Sequence, residues 1–63
     1  MIEIIVERWT GLDGQTSYIW TLWQDGKRVE MGTAQPSAAE AENQAKAFCL
    51  KALGQEADRL TAL

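Results

Sequence analysis

The chain has 63 residues, nine of them acidic and six basic, with one Cys, no His and a formal net charge of −3. A single domain of this size buries only about 60% of the surface its unfolded form exposes. With Cys49 alone and no His, neither an intramolecular disulfide nor a one-chain zinc set can be assembled. The acidic balance disfavours a domain that works by neutralising phosphates. A lone cysteine, no signal peptide and no apolar run of about 18 residues predict a soluble, cytoplasmic protein with no membrane segment. With no covalent or metal staple, dimerisation is the reinforcement open to so small a core.

Residues 1–36 hold all three Trp, the Tyr and most β-branched residues, whereas 37–63 are rich in Ala, Glu, Gln, Lys and Leu. That shift predicts a sheet followed by a helix within one domain. Ile2, Ile4 and Val6 alternate with Glu3, Ile5 and Glu7, the period-two pattern of a strand with one buried face, and predict a strand over 2–9. Thr10 to Gln15 carries turn chemistry, and a second strand follows over 16–24. Asp25-Gly26 then predicts a type I′ hairpin into a third strand over 27–34, because both central residues of that turn need positive φ.

A two-residue loop sets Trp23 opposite Arg28, Leu22 opposite Val29, Thr21 opposite Glu30 and Trp20 opposite Met31. In that register Tyr18, Trp20, Leu22, Val29 and Met31 face the helix, and Ile19, Thr21, Trp23, Arg28, Glu30 and Gly32 face away. If Ile2, Ile4 and Val6 join the helix side, Glu3, Ile5, Glu7 and Trp9 join the other. Pro36-Ser37-Ala38-Ala39-Glu40 reads as a capping box opening a helix over 37–53. Its apolar stripe consists of Ala41, Ala45, Phe48 and Ala52, flanked by Ala38, Cys49 and Leu53. Gly54 can end the helix, but the spacing of Leu60 and Leu63 favours continuation to 61, and a helix that long overhangs the sheet. The expected fold is α+β, a three-stranded antiparallel β-meander packed on one C-terminal α-helix.

Chemistry is sparse. Without His, a general base needs a carboxylate or Lys with a strongly shifted pKa, and the domain has little interior to shift one. Glu3 and Glu7 stand roughly 13 Å apart along an extended strand, too far for paired-carboxylate catalysis. Cys49 reads as a small buried hydrophobe, and Gly11-Leu12-Asp13-Gly14 as a turn lacking the Lys and Ser/Thr of a phosphate loop. No catalytic residue, metal site or cofactor is expected, and the chain reads as non-enzymatic.

The informative feature is the sheet face turned from the helix. Trp9, Trp23, Ile5 and Ile19 occupy a side that meets water in an isolated meander, ringed by Glu3, Glu7, Glu30 and Arg28, and exposed apolar area of that kind marks an interface. The expected partner is another protein with a basic surface. Homodimerisation through that face or through an overhang carrying Leu50, Leu53 and Leu60 is the structural alternative.

The run Trp20 to Arg28, then Gly32-Thr33-Ala34 leading into Ser37 to Lys46, resembles the arm-type DNA-binding domain of tyrosine integrases, and the Gly-Thr-then-capped-helix pattern is similar to plant ethylene-response domains. The likeness spans residues 1 to about 53 and implies a sheet face that enters the major groove. In those families that face is basic. Here it offers Arg28, with Lys27 and Arg8 nearby, against Glu3, Glu7 and Glu30, so nucleic-acid binding is the lesser expectation. The element order is similar to HicB-type antitoxins, and size and charge are similar to phage anti-defence inhibitors of the anti-CRISPR kind. Those likenesses imply a bacterial or phage inhibitor of a host nucleic-acid-binding protein.

Overall fold

The computed structural model describes residues 1–63 and contains β1 (Ile2–Thr10), β2 (Thr16–Gln24), β3 (Lys27–Met31), α1 (Ala38–Leu53) and β4 (Arg59–Ala62). The class is α+β, but the sheet has four strands in the order β3-β2-β1-β4 and is mixed instead of a pure meander. β1 and β2 pair antiparallel from Ile2 opposite Gln24 to Thr10 opposite Thr16. β4 runs parallel to β1, with Glu3 beside Arg59 and Val6 beside Ala62. No helix is long and apolar enough to cross a membrane.

The turn between β2 and β3 forms as its chemistry requires, with Asp25 at φ 52° and Gly26 at φ 81°. Trp23 sits opposite Arg28 and Gln24 opposite Lys27, but a register shift between Leu22 and Trp23 then puts Leu22 opposite Glu30 and Thr21 opposite Met31. One extra residue on β3 reverses the facing of everything beyond it. Met31, expected against the helix, lies instead on the outer face, 49% exposed, and Val29 is exposed as well. Glu30, expected on the outer face, shares the helix side with Leu22. β3 also stops at Met31, and beyond Gly32 the chain meets the sheet again through paired bonds of 2.8 Å between Tyr18 and Gln35.

The shift has a packing cause. It brings Gly32 opposite Trp20, with the Gly32 N–H donating to the Trp20 carbonyl at 2.9 Å. The Trp20 indole then lies where a side chain would be, since a Cβ at Gly32 would come within 2.0 Å of Trp20 Nε1. Trp20 is thereby 5% exposed and reaches Phe48 with ring centroids 5.6 Å apart. Its Nε1 is buried without a hydrogen-bond partner. That omission costs about 1–3 kcal/mol. Burying an aromatic side chain of about 150–250 Å² at about 25 cal/mol per Å² gains more than that.

The helix begins at Ala38 with the Ser37 half of the expected capping box, and the Glu40 side chain does not return the bond. Ser37 is extended at φ −142°, and its Oγ accepts from the Glu40 N–H at 3.2 Å. Its end differs from the expected continuation to 61. Gly54 adopts φ 70°, and its N–H donates to the Leu50 carbonyl at 3.0 Å, so the helix closes at Leu53. Residues 55–58 then turn back to the sheet. The Asp58 N–H donates to the Ile2 carbonyl at 2.8 Å, and its carboxylate accepts from the Ile2 N–H at 2.7 Å.

The core is Ile2, Ile4 and Val6 from β1, Trp20 and Leu22 from β2, and Ala41, Ala45 and Cys49 from α1. Tyr18, Phe48, Leu53, Ala57 and Leu60 pack around it. Ala52, expected on the buried stripe, is exposed. The helix contacts β2 and β1, the two middle strands, and leaves the opposite sheet face bare.

Replacing Gly32 with Ala is expected to destabilise the fold by about 3 kcal/mol, the upper end of ordinary overpacking, because the indole has nowhere to retreat. Urea titration followed by Trp fluorescence checks this. An unchanged midpoint would mean that Trp20 does not depend on the bare Cα.

Candidate functional site

Four matched pairs along β1 and β2 form the middle of the outer face: Glu3 with Trp23, Ile5 with Thr21, Glu7 with Ile19, and Trp9 with Ser17. Each pair holds one large apolar and one polar residue, and the apolar member alternates between strands. Trp23, Ile5, Ile19 and Trp9 thus zigzag down the face. The Glu3 and Trp9 positions on β1 are six residues apart, so the stripe is about 20 Å long with an indole near each end.

Side chains within the stripe support one another. Trp23 Nε1 donates to Thr21 Oγ1 at 2.9 Å, and Thr21 Oγ1 in turn donates to the Ile5 carbonyl at 3.5 Å. Ile5, Ile19 and Trp23 are each half-buried, whereas Trp9 is 56% exposed. A shallow hollow of about 230 Å³ lies between Glu3, Ile5, Trp23 and the hairpin at Gly26. A second, of about 290 Å³, lies beside Glu7 and Trp9. The two Trp therefore belong to separate ends of the stripe.

The charges differ from the expected acidic ring. Glu30 has left this face with the register shift, and β4 brings Arg59 and Thr61 onto it. Arg59 Nε donates to Glu3 Oε2 at 2.8 Å, and Thr61 Oγ1 donates to the same oxygen at 3.2 Å. The Arg59 hydrogen bond, helped by that of Thr61, holds the Glu3 carboxyl below its ordinary range, while Glu3 raises the Arg59 guanidinium. Arg28 does not stack on Trp23 but extends to Met31 Sδ at 3.8 Å. The face therefore balances Glu3 and Glu7 against Arg28 and Arg59.

Of the residues expected to form a helix overhang, only Leu50 remains substantially exposed, at 54%. Leu53 packs on the chain's own core, and Leu60 stands beside Ile4 in β4, on the helix side of the sheet. Arg59 and Thr61 are the outer-face residues that the sequence reading missed. Their alternation with Leu60 and Ala62 is a strand signal, but four residues are too few to outweigh helical spacing.

Chemically the face offers apolar contact and paired charge. Glu3 is held ionised, which suits an acceptor and not a proton donor. Cys49 is enclosed, its Sγ donating to the Gln55 carbonyl at 3.2 Å, and burial pushes its thiol up, away from nucleophilic reactivity. No three Cys, Asp or Glu side chains come together as a metal site would require.

Because the folded-state pKa of Glu3 is lowered, its contribution to stability is complete above its ordinary value of 4.5 and is lost as pH falls through the lower folded value. Urea midpoints measured from neutral to acid pH should fall for the native chain, and Glu3→Gln should flatten part of that slope. Parallel curves for the two proteins would refute the linkage.

Comparison of the chain with protein-family models, with curated proteins and with solved structures gives no match to any of them.

Proposed function

We propose that this chain is a non-enzymatic binding module that docks on another protein through the outer stripe of Trp23, Ile5, Ile19 and Trp9. The observation that carries this reading is the exposure of Trp9, at 56%, on the sheet face opposite the chain's one helix. A bare indole at the end of an apolar zigzag is costly to leave in water and is the residue type most enriched at binding hot spots. Met31, 49% exposed at the β3 side, widens the same patch.

The charge balance shapes the partner. With Glu3 engaged by Arg59 and Glu30 on the other side, the stripe has no acidic field of its own, and the chain's acidic excess lies in the turns at Asp13 and Asp25 and in the connector at Glu56 and Asp58. The partner surface is therefore taken to be apolar at its centre, with local polar complements to Glu7 and Arg28, instead of broadly basic. Duplex DNA fits less well. Arg28 is the one outer-face guanidinium not committed to a carboxylate, and groove binding relies on several phosphate contacts.

Affinity capture from the native host, with the purified chain and its Trp9→Ala and Trp23→Ala variants as bait, tests the reading. Both variants should keep the native far-UV spectrum. Each is expected to weaken partner recovery about thirtyfold or more, the loss of about 2 kcal/mol that marks a hot spot. Equal recovery by the native chain and both folded variants would sink the proposal. Salt-sensitive retention of duplex DNA abolished by Arg28→Ala would replace it with the nucleic-acid alternative.

A further inference from the structure

The two edges of the sheet are finished differently. β3 is guarded: it carries a bulge, Lys27, Arg28 and Glu30, and the Glu30 carboxylate accepts from the N–H of Met31 at 3.0 Å. Those are the devices by which natural sheets prevent edge-to-edge pairing. β4 has a single charged residue, Arg59, and that side chain is turned onto the outer face to meet Glu3. The Leu63 N–H donates inward to the Val6 carbonyl. Alternation along a parallel ladder then directs the N–H and C=O groups of Leu60 and Ala62 to the open edge.

Beside this edge, on the helix side, lies a groove of about 410 Å³. Ile4 and Leu60 floor it, and Ala47 and Leu50 wall it. It exists because α1 covers the two middle strands and stops short of β4. Its rim carries Lys46 against Glu56 and Asp58, while the Arg59 guanidinium is held by Glu3 on the outer face.

We infer that β4 pairs antiparallel with β4 of a second copy, joining two sheets into one of eight strands. The pairing that uses both open residues sets Leu60 opposite Ala62 of the second copy, in both directions, and sets Thr61 opposite its own counterpart. The sequence suits that two-fold arrangement. Leu60 and Ala62 meet on the helix side near Leu50, and the two Thr61 hydroxyls meet on the outer face, a favourable cross-strand pair. Arg59 falls opposite Leu63 and not opposite another Arg59, so no like charges face each other across the seam. The need is also clear, because the chain's own core contains only eight buried residues. An edge of four residues makes a small interface against the roughly 1,200–2,000 Å² of stable complexes, so the dimer dissociates on dilution.

Sedimentation equilibrium of the native chain across a wide concentration range should show a mass rising from 7.0 kDa toward twice that value. Ala62→Pro removes an edge N–H that no intrachain bond uses, and is expected to hold the mass at one chain with the far-UV spectrum unchanged. Amide exchange, read on the native chain, decides the matter if that variant unfolds: the Leu60 and Ala62 amides should gain protection as concentration rises. A single-chain mass at every concentration, a folded Ala62→Pro chain that still doubles, or unprotected Leu60 and Ala62 amides at doubled mass would each overturn the inference. None of these readouts involves the outer stripe, so they stand or fall apart from partner binding.

Discussion

The close approach of α1 to β1 and β2 is the constraint on which the molecule depends. Ala41, Ala45 and Cys49 have no solvent exposure at all, and neither do Ile4 and Leu22 opposite them. Small helix residues let bulky strand residues interdigitate beneath them, and that fit supplies nearly all the burial available to a chain of this size. One helix can lie this close over only about two strands, because sheet spacing is about 4.8 Å and a helix is about 10 Å wide. What is covered, and what is left bare, follows from that width.

The inner half of this packing was legible in the sequence. Ile2, Ile4 and Val6 alternate cleanly, Ser37 caps a stripe of alanines, and Asp25-Gly26 admits one kind of turn. Each is a local signal whose physical cause lies within a few residues. The outer face was legible on β1 and β2 for the same reason, and Ile5, Ile19, Trp23 and Trp9 share it in the structure. It was not legible on β3. There the register depends on Gly32 accepting the Trp20 indole, a contact between strands that no period within β3 announces. A one-residue bulge was enough to exchange Glu30 for Met31 on that face.

The fourth strand shows a second kind of ambiguity. Leu60 and Leu63 lie at helical spacing from the α1 stripe, and nothing in residues 55–62 is hostile to a helix. Gly54 decides the outcome by taking the left-handed conformation that closes α1 at Leu53. Once the helix stops there, Asp58 fixes the return by bonding both backbone groups of Ile2, across 56 residues of sequence. The alternation of Arg59 and Thr61 with Leu60 and Ala62 then places two polar groups on Glu3 and two apolar ones toward the core side. Long-range pairing thus overrode a local pattern that was equally consistent with its rival.

Glu3 links the two surfaces that this architecture leaves open. It stands opposite Trp23 at one end of the apolar stripe, and it also receives Arg59 and Thr61 from the edge strand. Whatever orders β4 therefore orders the Glu3 carboxylate, and with it the wall of the hollow beside Trp23. Edge pairing between copies would draw Thr61 into a cross-strand contact and restrict its hydroxyl, while Arg59 stays on the outer face. The stripe and the edge are distinct in position and in chemistry. They remain coupled through one carboxylate, so self-association would stiffen the Trp23 end of the face more than the Trp9 end, which has no bond to β4 of this kind.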